Sequence, residues 1–170
     1  EGTLYTRYYT CAPVCSPARA AILTGQFPSR VGVFKQISAD PRHNDQRGQV
    51  SYVDTRLMTV AKALGAYGYR TAHFGKWHLG KADAPSLDKY GFDHHVSVAS
   101  SDVNPQYNRS LPDWDWMSTE WMVDDAIEFI DDSAQNPFYI QLWLQHPHTQ
   151  LDPTFAQSAE YTGDVTASTV

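Results

Sequence analysis

Gly68-Tyr69-Arg70-Thr71-Ala72-His73-Phe74-Gly75-Lys76-Trp77-His78-Leu79-Gly80 reads as a short strand that breaks into a polar loop. Tyr69 to Phe74 is rich in aromatic and β-branched residues and lies between two glycines, which predicts the strand. Just upstream, Leu57, Val60, Ala61 and Leu64 recur at helical spacing, and Gly65 and Gly68 end that pattern. Downstream, Val96 to Ala99 reads as a strand, and Met122, Ala126, Phe129 and Ile130 mark an amphipathic helix. Pro137 to Leu144 is predicted as a buried strand that runs into His146-Pro147-His148. Toward the start, Leu4 to Thr10 is expected as a strand. Pro17 to Leu23 is expected as a helix, with proline in its first turn and Gly25 after its end. Pro28 to Val50, Gly75 to Gly91 and Asp93 to Pro112 read as loop, the last with the Val96 strand inside it. Helices alternating with short strands predict an α/β fold, a mainly parallel sheet flanked by helices. In such sheets ligand sites gather beyond the C-terminal ends of the strands. The Lys76–His78 and His146–His148 clusters both follow predicted strands.

Composition sets the outer limits. The chain has 170 residues, 42% hydrophobic and 19% charged, as one globular domain would. Its net charge of −6 lacks the basic surplus of a nucleic-acid binder. An anionic ligand would need a local positive pocket in an acidic surface. No apolar run approaches the ~20 residues that span a bilayer. The chain begins at Glu1 without a charged leader and closes at Thr162 to Val170 in what reads as the start of a helix. Both ends read as cuts through a longer protein, so residues 1–170 are expected to be part of one domain, truncated at both ends. There are two cysteines, Cys11 and Cys15. Their spacing suits neither a useful cross-link nor a zinc site. Cys11 is expected as a small buried hydrophobe. Cys15 differs, because it sits where a helix begins and free N–H groups favour an anion.

Cys15-Ser16-Pro17-Ala18-Arg19, followed by Ala20-Ala21-Ile22-Leu23-Thr24-Gly25, resembles the sulfatase signature Cys-x-Pro-x-Arg with its small-residue helix and Thr-Gly. Gly68-Tyr69-Arg70-Thr71 leading to Gly75-Lys76-Trp77-His78 looks like the second signature of that family, in the family's order. Pro137 to Leu144 followed by Pro147-His148-Thr149 resembles the strand that ends in Pro-His-Thr-Pro, with Gln150 in place of the last proline. Gly91-Phe92-Asp93 matches a further landmark, read as structural. The resemblance implies a partial alkaline phosphatase-like (sulfatase) domain.

It also implies the chemistry. A maturation enzyme would convert Cys15 to formylglycine, whose hydrate carries two hydroxyls. One attacks the sulfur of a sulfate ester, and the other loses its proton as sulfate is expelled. Serine has no second hydroxyl and would stay trapped as its ester. Arg19 would hold that group, and Lys76 would place positive charge on the sulfate oxygens. His78 would take the proton of the second hydroxyl, and His148 would serve the leaving alcohol. Catalytic roles thus fall on Cys15, Arg19, Lys76, His78 and His148. Substrate contacts are expected from Lys76 and His148, with His146 and Ser101 as further candidates. The resemblance implies calcium, or magnesium, with the formylglycine at Cys15 as its ligand within this chain. The paired acids Asp124-Asp125 and Asp131-Asp132 read as a solvated helix face. Leu111 to Trp116 reads as a loop whose Trp114 and Trp116 could face a sugar ring.

The implied substrate is a sulfated small molecule or glycan, and the implied location is periplasmic, extracellular or lysosomal. The isolated chain is expected to be inactive. Two other readings stay open: a formylglycine-dependent phosphonate monoester or phosphodiester hydrolase, and a non-catalytic binder of sulfated glycans.

Overall fold

The computed structural model of the protein describes residues 2–81, 83–98, 114–148 and 158–159. Helices α1 (Cys15–Thr24), α2 (Pro41–Gln46), α3 (Val60–Gly65) and α4 (Trp114–Asp132) accompany strands β1 (Arg70–Lys76), β2 (His94–Val98) and β3 (Phe138–Trp143). The strands form one sheet in the order β2-β1-β3, with both pairings parallel. This is the expected α/β arrangement.

β1 is the centre because its residues can be buried on both faces, as parallel sheets require. Ala72 and Phe74 pack with Val96, Val98, Met122, Ala126 and Phe129, which seats α4 on one face. On the other face Trp77, Leu79, Tyr90 and Phe92 join Ala20 and Leu23 of α1 and Ala61 of α3. The alternation along β1 thus sends successive side chains to two separate cores. Phe74 is fully buried, and truncating such a side chain costs about 3–5 kcal/mol.

Gly75 shapes the end of β1. Its φ is 98°, and a Cβ built there would lie 2.2 Å from the Trp143 carbonyl oxygen of β3. Only glycine lets the two strands approach this closely while the chain turns. The turn delivers Lys76, Trp77 and His78 to the C-terminal edge of the sheet. The Gly91-Phe92-Asp93 landmark is structural, as expected. The Asp93 carboxylate accepts from the Thr71 N–H at 2.9 Å and the Thr71 hydroxyl at 3.1 Å, joining the start of β2 to β1.

Several expectations change. Residues 4–10 form no strand, and Leu4, Tyr5, Tyr8 and Tyr9 are exposed. Strand propensity is a preference for a pleated, half-buried surface, and no described strand offers one there. Cys11 is exposed rather than buried, in the same irregular segment. The expected loop from Pro28 to Val50 contains a 3-10 turn (Pro28–Val31) and α2, which Asp40 caps by accepting from the Arg42 N–H at 3.0 Å. β1 keeps Gly75 and Lys76, which had read as loop, and a 3-10 turn (Leu87–Tyr90) interrupts the segment that follows. β3 is half-exposed rather than buried, because it lies at the edge of the described sheet. Trp114 and Trp116 fall in the first turn of α4, not in a loop. Asp124, Asp131 and Asp132 are exposed on that helix as expected, while Asp125 is half-buried. Among the described residues no helix is long and apolar enough to cross a membrane.

Candidate active site

The site is built around the first residue of α1. Val14 caps that helix in an extended conformation without a side-chain hydrogen bond. The first helical bond runs from the Ala18 N–H to the Val14 carbonyl at 3.2 Å. No cap side chain therefore occupies the positive end of the helix, where an anion is favoured.

His78 meets Cys15 there. Its Nδ1 is 3.1 Å from the Cys15 Sγ, and its Nε2 is 3.1 Å from the Ile37 carbonyl oxygen. A carbonyl can only accept, so Nε2 carries the hydrogen and Nδ1 presents a lone pair to residue 15. His78 adopts a left-handed φ of 57°. That is uncommon for a residue with a side chain and turns the ring back toward α1. Burial, then the charges of Lys81 and Lys76, push the His78 pKa down to about 4. The imidazole is thus neutral at pH 7, able to take a proton and unable to repel the lysines.

Arg19 lies one helical turn after Cys15. Its Nη1 donates to the Lys76 carbonyl at 2.6 Å, and its guanidinium sits 4.6 Å from the centre of the Trp143 ring. One side chain thus joins α1 to the ends of β1 and β3. Burial lowers its pKa to about 10, partly offset by Cys15, so it stays cationic at pH 7. Lys76, the last residue of β1, is buried beneath the same edge.

The structure therefore brings Cys15, Arg19, Lys76 and His78 together from positions distant in the chain. His146 is held against α4, with its Nδ1 3.2 Å from the Ser118 hydroxyl and 3.3 Å from the Thr119 hydroxyl. A cis peptide joins His146 to Pro147. His148 follows, exposed, beyond the end of β3. Because β1 and β3 are parallel with Gly75 opposite Trp143, His148 and His78 follow strands that end on the same edge. Ser101 lies outside the described residues.

Two contributors escaped the sequence reading. Ser16 is fully buried; its hydroxyl donates to the His78 carbonyl at 2.7 Å and accepts from the Ile37 N–H at 2.9 Å. Lys81 is the strongest charged influence on His78. Ser16 stands at a variable position of its motif, and Lys81 follows the second motif, so neither carried a signal.

Residue 15 suits a formylglycine: its side chain faces a neutral imidazole at an uncapped helix N-terminus. The calcium or magnesium site is different. Among the described residues no three His, Cys, Asp or Glu side chains come together to hold a metal. One ligand at residue 15 falls short of the roughly six to eight oxygens a hard cation takes. The described residues do not build that site.

The sulfatase family model matches residues 1–169. The chain is 30% identical over 183 residues to an arylsulfatase of Hemicentrotus pulcherrimus, covering 89% of this chain and 32% of that protein. It is 31% identical over 160 residues to an ulvan-active sulfatase of Formosa agariphila, covering 87% of this chain and 29% of that protein. It therefore spans about a third of the length of these relatives. The structure of Ps i-CgsB in complex with k-i-k-neocarrahexaose superposes with a TM-score of 0.69 at 23% identity, covering 94% of this chain and 40% of that one. A protein in complex with its substrate D-glucosamine-2-N,6-O-disulfate gives 0.62 at 23% identity, covering 93% and 30%. At these identities the likeness is one of fold.

Proposed function

The chain belongs to the sulfatase family, and on that premise we propose that the full-length protein hydrolyses sulfate esters of carbohydrates, with residue 15 as its nucleophile. The carrying observation is the 3.1 Å approach of the Cys15 side chain to a neutral His78 at the open N-terminus of α1. The name of one relative supports a carbohydrate substrate: the ulvan-active sulfatase.

The proposal includes conversion of Cys15 to formylglycine by a maturation enzyme. That group supplies a hydroxyl nucleophile and a second hydroxyl through which sulfate can leave. The chain's own residues then have distinct work. The N-terminus of α1 and Lys76 hold the sulfate oxygens with fixed positive charge, worth roughly 2.7–4 kcal/mol per donor in comparable sites. His78 accepts the proton of the second hydroxyl on Nδ1, because its Nε2–H is already committed to Ile37. Arg19 keeps α1 in register with β1 and β3 through the Lys76 carbonyl and the Trp143 ring. His148 is assigned to the leaving alcohol, with His146 and Ser101 as further substrate contacts. Calcium or magnesium enters through residue 15 only, and no step here depends on it. On the same family premise we assign the full-length protein to the periplasm, the extracellular space or the lysosome.

Mass spectrometry of the full-length protein tests the modification: the residue-15 peptide should show the thiol-to-aldehyde mass loss. Matched sulfate and phosphate esters test the reaction. Preference for the sulfate is expected. Preference for the phosphate ester would transfer the site to a phosphoester hydrolase, and an unconverted, inactive Cys15 would leave a glycan binder.

A further inference from the structure

Two buried side-chain amides lie behind the loop that carries Ile37. Asn44 is fully buried and Gln49 nearly so. Gln49 Oε1 accepts from the Lys35 N–H at 2.9 Å and the Phe34 N–H at 3.3 Å. Its Nε2 donates to Asn44 Oδ1 at 3.0 Å and to the Gln36 carbonyl at 3.3 Å. Asn44 Oδ1 also accepts from the Ser38 N–H at 2.8 Å, and Nδ2 donates to the Ser38 carbonyl at 3.1 Å and the Ser51 hydroxyl at 3.2 Å. Each amide offers two donor hydrogens and two acceptor lone pairs, and here every one is used. A fully satisfied buried polar network rigidifies what it holds.

The network holds backbone. Its bonds end on residues 34, 35, 36 and 38, on both sides of Ile37. Ile37 itself faces the other way: its N–H donates to Ser16 and its carbonyl accepts from His78. The loop is thus gripped from behind by two amides while its middle residue touches both the second residue of α1 and the imidazole beside Cys15.

We propose that Asn44 and Gln49 are positioning residues for the reaction, fixing residues 34–38 so that Ile37 keeps His78 and Ser16 in register with residue 15. They touch no reacting atom and act through Ile37. The inference rests on residue 15 being the nucleophile that His78 serves. A displacement of about 1 Å at a reacting group costs on the order of a hundredfold in rate. Loosening the loop should therefore lower kcat while leaving binding nearly unchanged.

The test uses the full-length protein with an aryl sulfate. Gln49→Ala should lower kcat by about 10- to 100-fold, with KM within about threefold of wild type. Gln49→Glu keeps the acceptor for Phe34 and Lys35 but sets a carboxylate oxygen against Asn44 Oδ1 and the Gln36 carbonyl, so it should recover little of the loss. A folded Gln49→Ala protein with wild-type kcat would overturn the proposal, as would a rise in KM that accounts for the whole effect. If neither variant folds, amide hydrogen exchange of the wild type decides. Phe34, Lys35, Ile37 and Ser38 must then be protected as well as β1, and rapid exchange at those amides overturns the clamp. A wild type that cleaves no sulfate ester would remove the sulfatase reading, while the exchange experiment would still judge the clamp.

Discussion

His73 makes the stability of this fold depend on pH in a way that one substitution can isolate. It is fully buried in β1, with rings of Trp77, Phe92 and Trp143 within 5.3 to 5.5 Å. Gln141 donates to its Nδ1 at 3.2 Å, and among the described residues its Nε2 has no hydrogen-bond partner. Burial pushes its pKa from 6.5 down to about 3. Below pH 6.5 the unfolded chain binds a proton there that the folded chain refuses. The stabilisation is therefore complete above 6.5 and is lost as pH falls from 6.5 toward 3. Between pH 7 and pH 5 this one site should remove about 2 kcal/mol, a large share of a typical 5–15 kcal/mol total. His73→Phe fills the same aromatic pocket but strands the Gln141 amide, a cost of roughly 1–3 kcal/mol at pH 7. Urea unfolding of the full-length wild type and variant at both pH values measures the effect. The variant should start less stable and close the gap by about 2 kcal/mol at pH 5. A difference between the two proteins that stays constant with pH would refute the reasoning.

Other predictions concern the site edge. Gly75→Ala places a methyl 2.2 Å from the Trp143 carbonyl at a φ of 98°; strain of about 1–3 kcal/mol plus the clash should lower the melting temperature by several degrees, read by calorimetry. Arg19→Lys keeps the charge but loses the fixed planar group over Trp143 and the geometry of its bond to Lys76; kcat should fall at least tenfold with little loss of fold, measured by turnover and circular dichroism. Ser16→Ala removes the hydroxyl that joins His78 to Ile37. It strands a buried carbonyl and N–H, so the melting temperature and kcat should both drop. The isolated 170-residue chain, which spans about a third of the length of its sulfatase relatives, should turn over no aryl sulfate even with formylglycine at residue 15, measured beside the full-length protein.

The legible parts of the sequence were those with local causes. The helical period of Val60, Ala61 and Leu64 (Leu57 lies just before α3), the strand from Arg70 to Phe74 and the helix closed by Gly25 all declared themselves through spacing and glycine. The motifs named Cys15, Arg19, Lys76 and His78, and the fold brings these four together. What stayed hidden was long-range. That Leu4 to Thr10 has no described partner strand, and that β3 lies at an edge, depends on neighbours rather than on propensity. α2 did carry a short signal, Asp40 followed by Pro41, but it is only six residues long. Ser16, Ile37, Asn44 and Gln49 act through contacts that span chain separations no periodicity records. The left-handed turn at His78, which aims the ring at α1, is equally invisible in a motif.

One experiment bears directly on residue 15. Full-length protein carrying Cys15→Ser, incubated with a sulfate ester and digested, can be weighed peptide by peptide. The variant offers a single hydroxyl beside His78, so it should accept one sulfate, hold it covalently at position 15 and release no further product. Steady turnover by that variant, or sulfate fixed elsewhere with position 15 unmodified, would contradict a nucleophile at the start of α1.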